Sequence, residues 1–242
     1  MLRLEEALLR HEKGNWCLVN ALPAAPTVVV GLGGKPDLLL DAEKLRAAPF
    51  PVPVVRRFTG GGTVVVGDGT VVASLVVRKE DAPCEPFPRE IMAWTEGIYA
   101  TAFASILGGG AALSLRDHDY VVGGDRKVGG NAQSISKDTW IHHTSFLWDY
   151  DARHMAYLTL PQKRPEYRAD RDHTSFLARI ADDVADDADR DAAHGAATLA
   201  GALGAALAPH FDVAPAPLDD LLAAEARRGP DFRGGFKPLD FP

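Results

Sequence analysis

Between residues 54 and 77 the chain alternates short β-branched runs with glycine-rich turns, and this pattern constrains the fold more than any other feature. The runs cover residues 54–55, 63–66 and 71–77. Short β-branched runs separated by glycine turns are typical of strands in hairpins. The segment therefore predicts a mostly antiparallel sheet. Similar β-prone runs lie at residues 16–20, 27–30, 120–122, 127–128 and 139–148.

Segments with apolar residues at helical spacing separate these runs. A helix is predicted over residues 90–107, because three glycines at 108–110 follow it and end it. Hairpins and helices in one chain predict an α/β (α+β) fold, with a mostly antiparallel mixed sheet flanked by helices. Further helices are predicted at residues 2–11, 37–45, 174–180 and 192–207.

The composition changes from Ala181 onward, where the chain becomes rich in alanine and aspartate and then in proline. This change indicates a boundary near residue 182. We expect residues 1–182 to form the main domain and residues 183–242 to form a helical and irregular extension packed on that domain. The proline-rich tail after Phe211 is expected to wrap the surface or to stay partly disordered.

Charge and hydropathy exclude several classes of protein. The 242 residues carry a formal net charge of −7, which argues against nucleic acid as the main partner because a phosphate backbone requires a large basic face. No window holds roughly 18 uninterrupted apolar residues, so no membrane span is expected. Glu5 and Glu6 are acidic too early for a transit peptide. We expect a cytoplasmic protein, or a mitochondrial or plastid one if a transit peptide has been removed.

The most informative segment runs from Arg56 to Val66 and contains Gly60, Gly61 and Gly62 between two β-prone runs. Glycines can adopt positive φ and let backbone N–H groups approach an anion without obstruction. The arginine pair at 56–57 supplies fixed positive charge suited to a phosphate or a carboxylate. The glycines alone fit a tight hairpin with solvated arginines equally well.

A second glycine segment, residues 31–34, resembles the start of a dinucleotide fingerprint. The sixth position of that motif is Pro36 and no βαβ unit surrounds it, so we interpret the segment as a simple turn.

Lys127 lies in a short β-prone run and is followed by the small residues 128–132. An ammonium group in such a setting can bind a carboxylate and a phosphate together. An adenylation reaction brings a carboxylate and a phosphate together, and it requires a cation that neutralises their charges. The alternative is a surface lysine on a hairpin.

Metal binding and nucleophilic chemistry find little support. His142 and His143 are adjacent on a predicted strand, so their side chains point to opposite faces and do not easily share one ion. Cys17 and Cys84 are the only cysteines and lack CxxC spacing, which indicates a reducing compartment and no structural zinc. The G-x-S-x-G motif of serine hydrolases is missing as well.

Taken in order, these segments resemble the lipoate–protein ligase family within the biotin/lipoate ligase and octanoyltransferase superfamily. The resemblance covers roughly residues 4–180, and residues 126–173 look most similar to a plant and algal branch. The segments that carry it are the arginine–glycine loop at 56–64, the strand at 118–121 that leads to the lysine segment at 127–132, and the strand at 142–147.

The resemblance implies a fold related to the biotin ligases and the catalytic domains of class II aminoacyl-tRNA synthetases, and residues 1–182 would be its catalytic domain. Lys127 would be the catalytic residue, bridging the acyl carboxylate and the α-phosphate; no metal ligands are implied. The implied ATP and adenylate site is Arg57, Gly62, Thr63, Val64, Val65 and Lys127. The implied lipoate site is Gly60, Gly61, Lys127, Asn131, Ala132 and His143.

The resemblance further implies an activity in which ATP, as its Mg2+ complex, activates lipoate or octanoate to acyl-AMP. The acyl group would then pass to a lysine on a lipoyl domain of a 2-oxoacid dehydrogenase E2 subunit or on a glycine-cleavage H protein. An octanoyl or lipoyl transferase is an alternative, but no cysteine stands at the nucleophile positions of that branch. The loop also differs from the GRGRxGR-type loop of biotin ligases.

One departure from the family pattern keeps a third alternative open. After the glycine loop the family usually has a His-Asp pair and later an asparagine, whereas this chain has Val66-Gly67 and Thr70. A non-catalytic carrier-binding homologue therefore remains an alternative. For the loop itself we expect Gly61→Ala to weaken ligand binding with only a small change in melting temperature.

Overall fold

The computed structural model describes residues 1–22, 25–160, 165–226 and 234–241, and this part of the chain holds ten strands and seven α-helices. The strands are β1 (Trp16–Leu22), β2 (Thr27–Val30), β3 (Val54–Arg56), β4 (Val64–Val66), β5 (Thr70–Arg78), β6 (Leu113–Arg116), β7 (Asp119–Val122), β8 (Arg126–Ile135), β9 (Thr139–Leu147) and β10 (Lys237–Pro238). The helices are α1 (Leu2–His11), α2 (Pro36–Leu39), α3 (Ala42–Arg46), α4 (Pro88–Phe103), α5 (His173–Phe176), α6 (Ala192–Leu207) and α7 (Leu218–Ala226).

Two sheets organise these elements. The larger has six strands in the order β1-β5-β9-β8-β7-β6, all antiparallel. The smaller has the order β10-β3-β2-β4, with a parallel pair only between β2 and β3. The predicted α/β (α+β) class with a mostly antiparallel mixed sheet flanked by helices is therefore confirmed, with the strands divided between two sheets.

The six-stranded sheet buries its two faces differently because side chains alternate along each strand. One face carries Val71, Ala73, Leu75 and Val77 of β5 and packs against α4 and α6. The opposite face, which includes Val76, packs against α1. Helices α4 and α6 thus pack on one face of the larger sheet, and α1 packs on the other.

Several predicted helices are shorter than expected, for local reasons. The stretch 37–45 divides into α2 and α3, because Leu40 is extended and bridges Leu158, and Asp41 then caps α3. The predicted helix 174–180 stops at Phe176, because Leu177 bridges Lys127 of β8. The helix predicted over 90–107 ends at Phe103.

The segment beyond residue 182 packs on the rest of the molecule. Leu199 and Leu203 of α6 are fully buried in the core that the sheet shares with α4. Further along, the backbone N–H of Gly235 donates to the carboxylate of Glu6 at 2.8 Å, and β10 pairs with β3. Within the described part of the tail after Phe211, α7 contacts α1 and β10 returns to the smaller sheet, while the boundary at residue 182 stays a prediction. No helix in the described ranges is long and apolar enough to cross a membrane.

The packing of α6 generates a test of the core. Gly195 lies against the fully buried Trp148, and a Cβ there would overlap the indole ring. We expect Gly195→Ala to lower the free energy of unfolding by about 1–3 kcal/mol through overpacking. Gly201 of the same helix has nothing within 4 Å of an added Cβ, so Gly201→Ala should raise it by about 1 kcal/mol through helix propensity. Urea denaturation measures both, and equal shifts in the two variants would contradict this packing.

Candidate active site

An apolar cavity of about 650 Å³ lies between the two sheets. Its wall includes Val72 and Leu147 from the larger sheet, and Val65 from the smaller. Met155 and Leu158 close it from the 3₁₀ turn at residues 152–157 and the residues that follow. A mostly apolar cavity with a few polar groups at one end suits a small amphipathic ligand.

The glycine loop between β3 and β4 forms one wall and is organised by Arg57, which is only 4% exposed. The guanidinium of Arg57 donates to the carbonyls of Gly60 and Gly62, each at 2.7 Å, and to the Val29 carbonyl at 3.4 Å. Burial lowers the pKa of Arg57 to about 10, an effect that nearby Glu5 opposes, so the group stays charged at neutral pH. The described hydrogen bonds of Arg57 thus shape the loop, and its expected contact with nucleotide stays a prediction.

Arg56 holds the backbone of the neighbouring turn at residues 31–34 in a similar way. Its Nη1 atom donates to the carbonyls of Gly31, Leu32 and Gly34 at 2.8–3.0 Å. A Cβ on Gly31 would overlap the carbonyl oxygen of Gly61. The turn at residues 31–34 therefore supports the glycine loop through close backbone packing.

A buried polar chain anchors the loop to helix α1. His143 Nδ1 lies 3.0 Å from the carboxylate of Glu5, and His143 Nε2 lies 3.2 Å from the hydroxyl of Thr59. Burial by itself raises the pKa of Glu5, but His143 and the hydroxyl of Ser74 outweigh it and hold that pKa below its usual value. Glu5 therefore remains ionised beneath the loop and fixes the ring of His143.

His142 points to the other face of β9, as the strand periodicity predicts. It is fully buried, and Gln133 and Tyr120 lie 3.0 and 3.1 Å from its ring nitrogens. Burial lowers the pKa of His142 to about 3, so the ring is neutral. Within the described ranges, no group of three or more His, Cys, Asp or Glu residues could hold a metal ion.

Lys127 reaches the cavity because β8 contains a bulge. Tyr120 pairs with Gly129 but Val121 pairs with Lys127, so Val128 is an extra residue in the ladder. Regular pairing would place Lys127 on the same face as Tyr120 and Val122, which lie in the core. The bulge instead turns Lys127 into the cavity and leaves Val128 in the core.

Two further side chains meet near Lys127. Its Nζ atom lies 2.6 Å from Oδ1 of Asp119, and Oδ2 of Asp119 accepts a hydrogen bond from the Tyr167 hydroxyl at 2.8 Å. The backbone of Lys127 is also held, because its carbonyl accepts a hydrogen bond from the N–H of Ala178 at 2.8 Å. The carboxylate of Asp119 thus holds the ammonium, while Ala178 holds the backbone of the same residue.

The segment from Pro165 to Leu177 covers this end of the cavity. Arg168, His173 and Phe176 line the wall, and Arg168 is 4% exposed. The guanidinium of Arg168 lies 4.6 Å from the centre of the Phe176 ring, and Lys127 Nζ lies 5.8 Å from it. Two positive charges, those of Lys127 and Arg168, thus lie around the Phe176 ring at this end of the cavity.

All the residues that the family resemblance implied for the two ligand sites line this one cavity, although their individual roles stay predictions. Sequence reasoning missed Glu5, Asp119 and the wall formed by Pro165–Leu177. A carboxylate on the buried face of the apolar helix α1 was the available signal for Glu5. Asp119 lies in the strand at 118–121 that carries the family resemblance, but the resemblance implied no role for it. The residues that the resemblance implied for the two ligand sites, and that line the cavity, are Arg57, Gly60, Gly61, Gly62, Thr63, Val64, Val65, Lys127, Asn131, Ala132 and His143.

Val66 and Thr70 also line the cavity, at the two positions where the family usually has histidine and asparagine. The wall is therefore less polar here than the family pattern implies. The hydroxyl of Thr63 on the same side is buried and has no hydrogen-bond partner among the described residues, which leaves it available to a ligand.

The arrangement of strands and helices is the fold of solved lipoate ligases. A family profile described as the lipoyl protein ligase A/B catalytic domain matches residues 1–191, and the chain belongs to this family.

The similar proteins agree with this placement. The "inactive lipoate–protein ligase 2" of Plasmodium falciparum (isolate 3D7) is 26% identical over an alignment of length 201 that covers 71% of this chain and 51% of the relative. The chain therefore spans about half the length of that relative. A bipartite lipoate protein ligase from Thermoplasma acidophilum, described with its E2 lipoyl domain, superimposes with a TM-score of 0.68 at 17% identity, covering 94% of this chain and 85% of the other.

Two more structures share the fold. A T. acidophilum protein solved with bound lipoic acid has a TM-score of 0.67 at 16% identity and covers 94% of this chain and 88% of its own. A lipoate–protein ligase A bound with ATP has a TM-score of 0.65 at 16% identity, and the match covers 94% of this chain and 87% of the other. At these identities the likeness shows the fold.

The geometry of the glycine loop changes the expected effect of Gly61→Ala. Gly61 has a φ of +88°, and a Cβ there would lie 2.9 Å from Arg57 Nη2. The expectation of a small stability change is therefore wrong for this position. We now expect Gly61→Ala to lower the free energy of unfolding by about 1–2 kcal/mol without any ligand present. Thermal and urea denaturation measure this change.

Gly60 and Gly62 provide the matched comparison, since nothing lies within 4 Å of a Cβ at either position. Gly62→Ala should change stability by less than about 0.5 kcal/mol but weaken binding of a non-hydrolysable lipoyl-adenylate mimic about tenfold or more, a loss of roughly 1.4 kcal/mol. Calorimetric titration gives the affinity. Unchanged affinity in both Gly60→Ala and Gly62→Ala would show that the loop does not contact the ligand.

Proposed function

We propose that this protein is a lipoate–protein ligase that activates lipoate, or octanoate, with ATP and transfers the acyl group to a lysine on a carrier domain. The observation that carries the proposal is the position of the Lys127 ammonium, which projects into an apolar cavity beside the glycine loop. Such a cavity accepts a medium-length acyl chain, and the cation at its polar end attracts both reacting anions.

In the first step, a carboxylate oxygen of the acid attacks the α-phosphate of ATP, and pyrophosphate leaves with its Mg2+. Lys127 neutralises the charge that collects between the carboxylate and the phosphate. Gly60 and Gly62 have no neighbouring atoms where a Cβ would stand, so the backbone there is open to a ligand. The chain's own contribution is thus positioning and charge stabilisation.

In the second step, the amine of a carrier lysine attacks the acyl carbonyl, an amide bond forms, and AMP leaves. We propose a lipoyl domain of a 2-oxoacid dehydrogenase E2 subunit or a glycine-cleavage H protein as the carrier. The T. acidophilum ligase described with its E2 lipoyl domain supports the first of these. The solved relatives with lipoic acid and with ATP support the two small substrates.

A transferase that forms an acyl-cysteine intermediate is less well supported. Neither Cys17 nor Cys84 is among the described residues that line the cavity. A thioester would therefore have to form at a distance from the site that would hold the acyl chain.

A non-catalytic carrier-binding homologue is the second candidate, and two observations favour it. The curated relative from P. falciparum is named inactive. The family's histidine is also replaced by Val66 at the cavity wall. Lipoate-dependent exchange of labelled pyrophosphate into ATP separates the candidates, and mass spectrometry of a lipoyl domain then detects the transferred acyl group. No exchange with lipoate, octanoate or related acids would leave the carrier-binding candidate.

We expect Lys127→Ala to lower the rate of pyrophosphate exchange by about 100- to 1,000-fold, because it removes the cation that faces the reacting anions. Lys137→Ala is the matched control, since Lys137 is exposed in the turn between β8 and β9, and it should keep the wild-type rate. Near wild-type exchange in a folded Lys127→Ala variant would remove Lys127 from the catalytic role.

The Cys17→Ser/Cys84→Ser double variant should retain full ligation, because the proposed reaction uses no thiol. Mass spectrometry of the carrier after incubation with ATP and lipoate measures the product. Loss of ligation in a folded double variant, together with an acyl-thioester trapped on the wild-type protein, would favour the transferase.

A further inference from the structure

Asp119 joins two side chains that come from different parts of the chain. Its Oδ1 atom lies 2.6 Å from Lys127 Nζ on β8, and its Oδ2 atom accepts the Tyr167 hydroxyl proton at 2.8 Å. Asp119 and Lys127 are 14% and 22% exposed, so both groups are largely removed from water. A tyrosine in the covering segment thus contacts the carboxylate that orients the cavity lysine.

Tyr167 is itself held in place by three neighbours. The guanidinium of Arg116 lies 4.6 Å from the centre of its ring, and the Phe176 ring packs at 5.4 Å. The backbone carbonyl of Tyr167 accepts a hydrogen bond from Arg171 at 2.6 Å. Burial and the charge of Asp119 raise the pKa of Tyr167 far above its usual range, so the hydroxyl keeps its proton. The hydroxyl is therefore a fixed donor toward Asp119.

We propose that Tyr167 is a positioning residue for the ligase reaction, acting on Lys127 through Asp119. This inference rests on the proposed function, which assigns the reaction to Lys127. The Tyr167 hydroxyl occupies Oδ2 of Asp119 and stabilises the ionised carboxylate, so that Oδ1 stays turned toward the ammonium. Lys127 is then kept at the cavity wall before either anion arrives, and part of the covering segment becomes necessary for the chemistry.

The test is lipoate-dependent pyrophosphate exchange in Tyr167→Phe, with kcat and KM determined separately. Without the donor to Oδ2, Asp119 no longer keeps Oδ1 turned toward Lys127, so we expect kcat to be about tenfold lower with little change in the KM for ATP. Tyr150→Phe is the matched control, because Tyr150 is half-buried over Arg179 and is not among the described residues that line the cavity. A wild-type kcat in a folded Tyr167→Phe variant would overturn the proposal.

A double-variant comparison shows whether Tyr167 acts through Asp119. Asp119→Asn removes the carboxylate that faces the Lys127 ammonium, so it should lower the rate by itself. Adding Tyr167→Phe to Asp119→Asn should then lower the rate by less than about twofold, because the two residues share one pathway. If the two losses multiply instead, Tyr167 acts independently and the inference is wrong.

A readout without catalysis separates this inference from the proposed function. Calorimetric titration measures the affinity of the full chain for a non-hydrolysable lipoyl-adenylate mimic, which should fall about threefold or more in Tyr167→Phe because Lys127 is then less well held at the cavity wall. A weaker affinity supports the contact even if the wild-type protein makes no acyl-adenylate. An absence of pyrophosphate exchange in the wild type would count against the ligase proposal alone, and an unchanged affinity for the mimic would count against Tyr167 alone.

Discussion

The candidate site depends on a buried arginine that holds the glycine loop from below. Arg57 uses its donors on the carbonyls of Gly60 and Gly62, which turns the adjoining backbone toward the cavity. A buried cation with its donors satisfied by carbonyl oxygens also needs a compensating charge, and Glu5 on α1 supplies it. The loop, helix α1 and strand β9 are therefore coupled through one small set of charges, in which His143 links Glu5 to Thr59.

The two faces of the larger sheet have different roles, since one packs the core and the other lines the candidate site. One face is sealed by α4 and α6 and contains the apolar core together with the neutral His142. The other face carries His143 and meets the smaller sheet across the cavity. Because neighbouring residues on a strand face opposite ways, adjacent histidines contribute to the two regions separately. The C-terminal residues reinforce the site side, where the N–H of Gly235 donates to Glu6 beside Glu5.

Much of this organisation could be predicted from the sequence, because it depends on local patterns. β-branched runs and glycine turns indicated most strands, and the order of the motifs brought residues as distant as Arg57, Lys127 and His143 to one cavity. Contacts between distant segments could not be predicted in the same way. Asp119 gains its role only when Tyr167 folds over it, and the helix expected at 37–45 is divided because Leu40 pairs with Leu158. The four-residue strand β6 is too short for its alternation to stand out from the background.

Because of the bulge in β8, the face of the sheet on which Lys127 lies depends on a number of residues and not on their identity. Val128 is one residue more than regular pairing with β7 allows, and it lies between Lys127 and Gly129, the partner of Tyr120. Exchanging one side chain of β8 for another keeps the number of residues at this place, whereas losing Val128 or gaining a second extra residue there would turn Lys127 to the opposite face of the sheet. The number of residues at the bulge is therefore constrained for as long as the ammonium has to face the cavity.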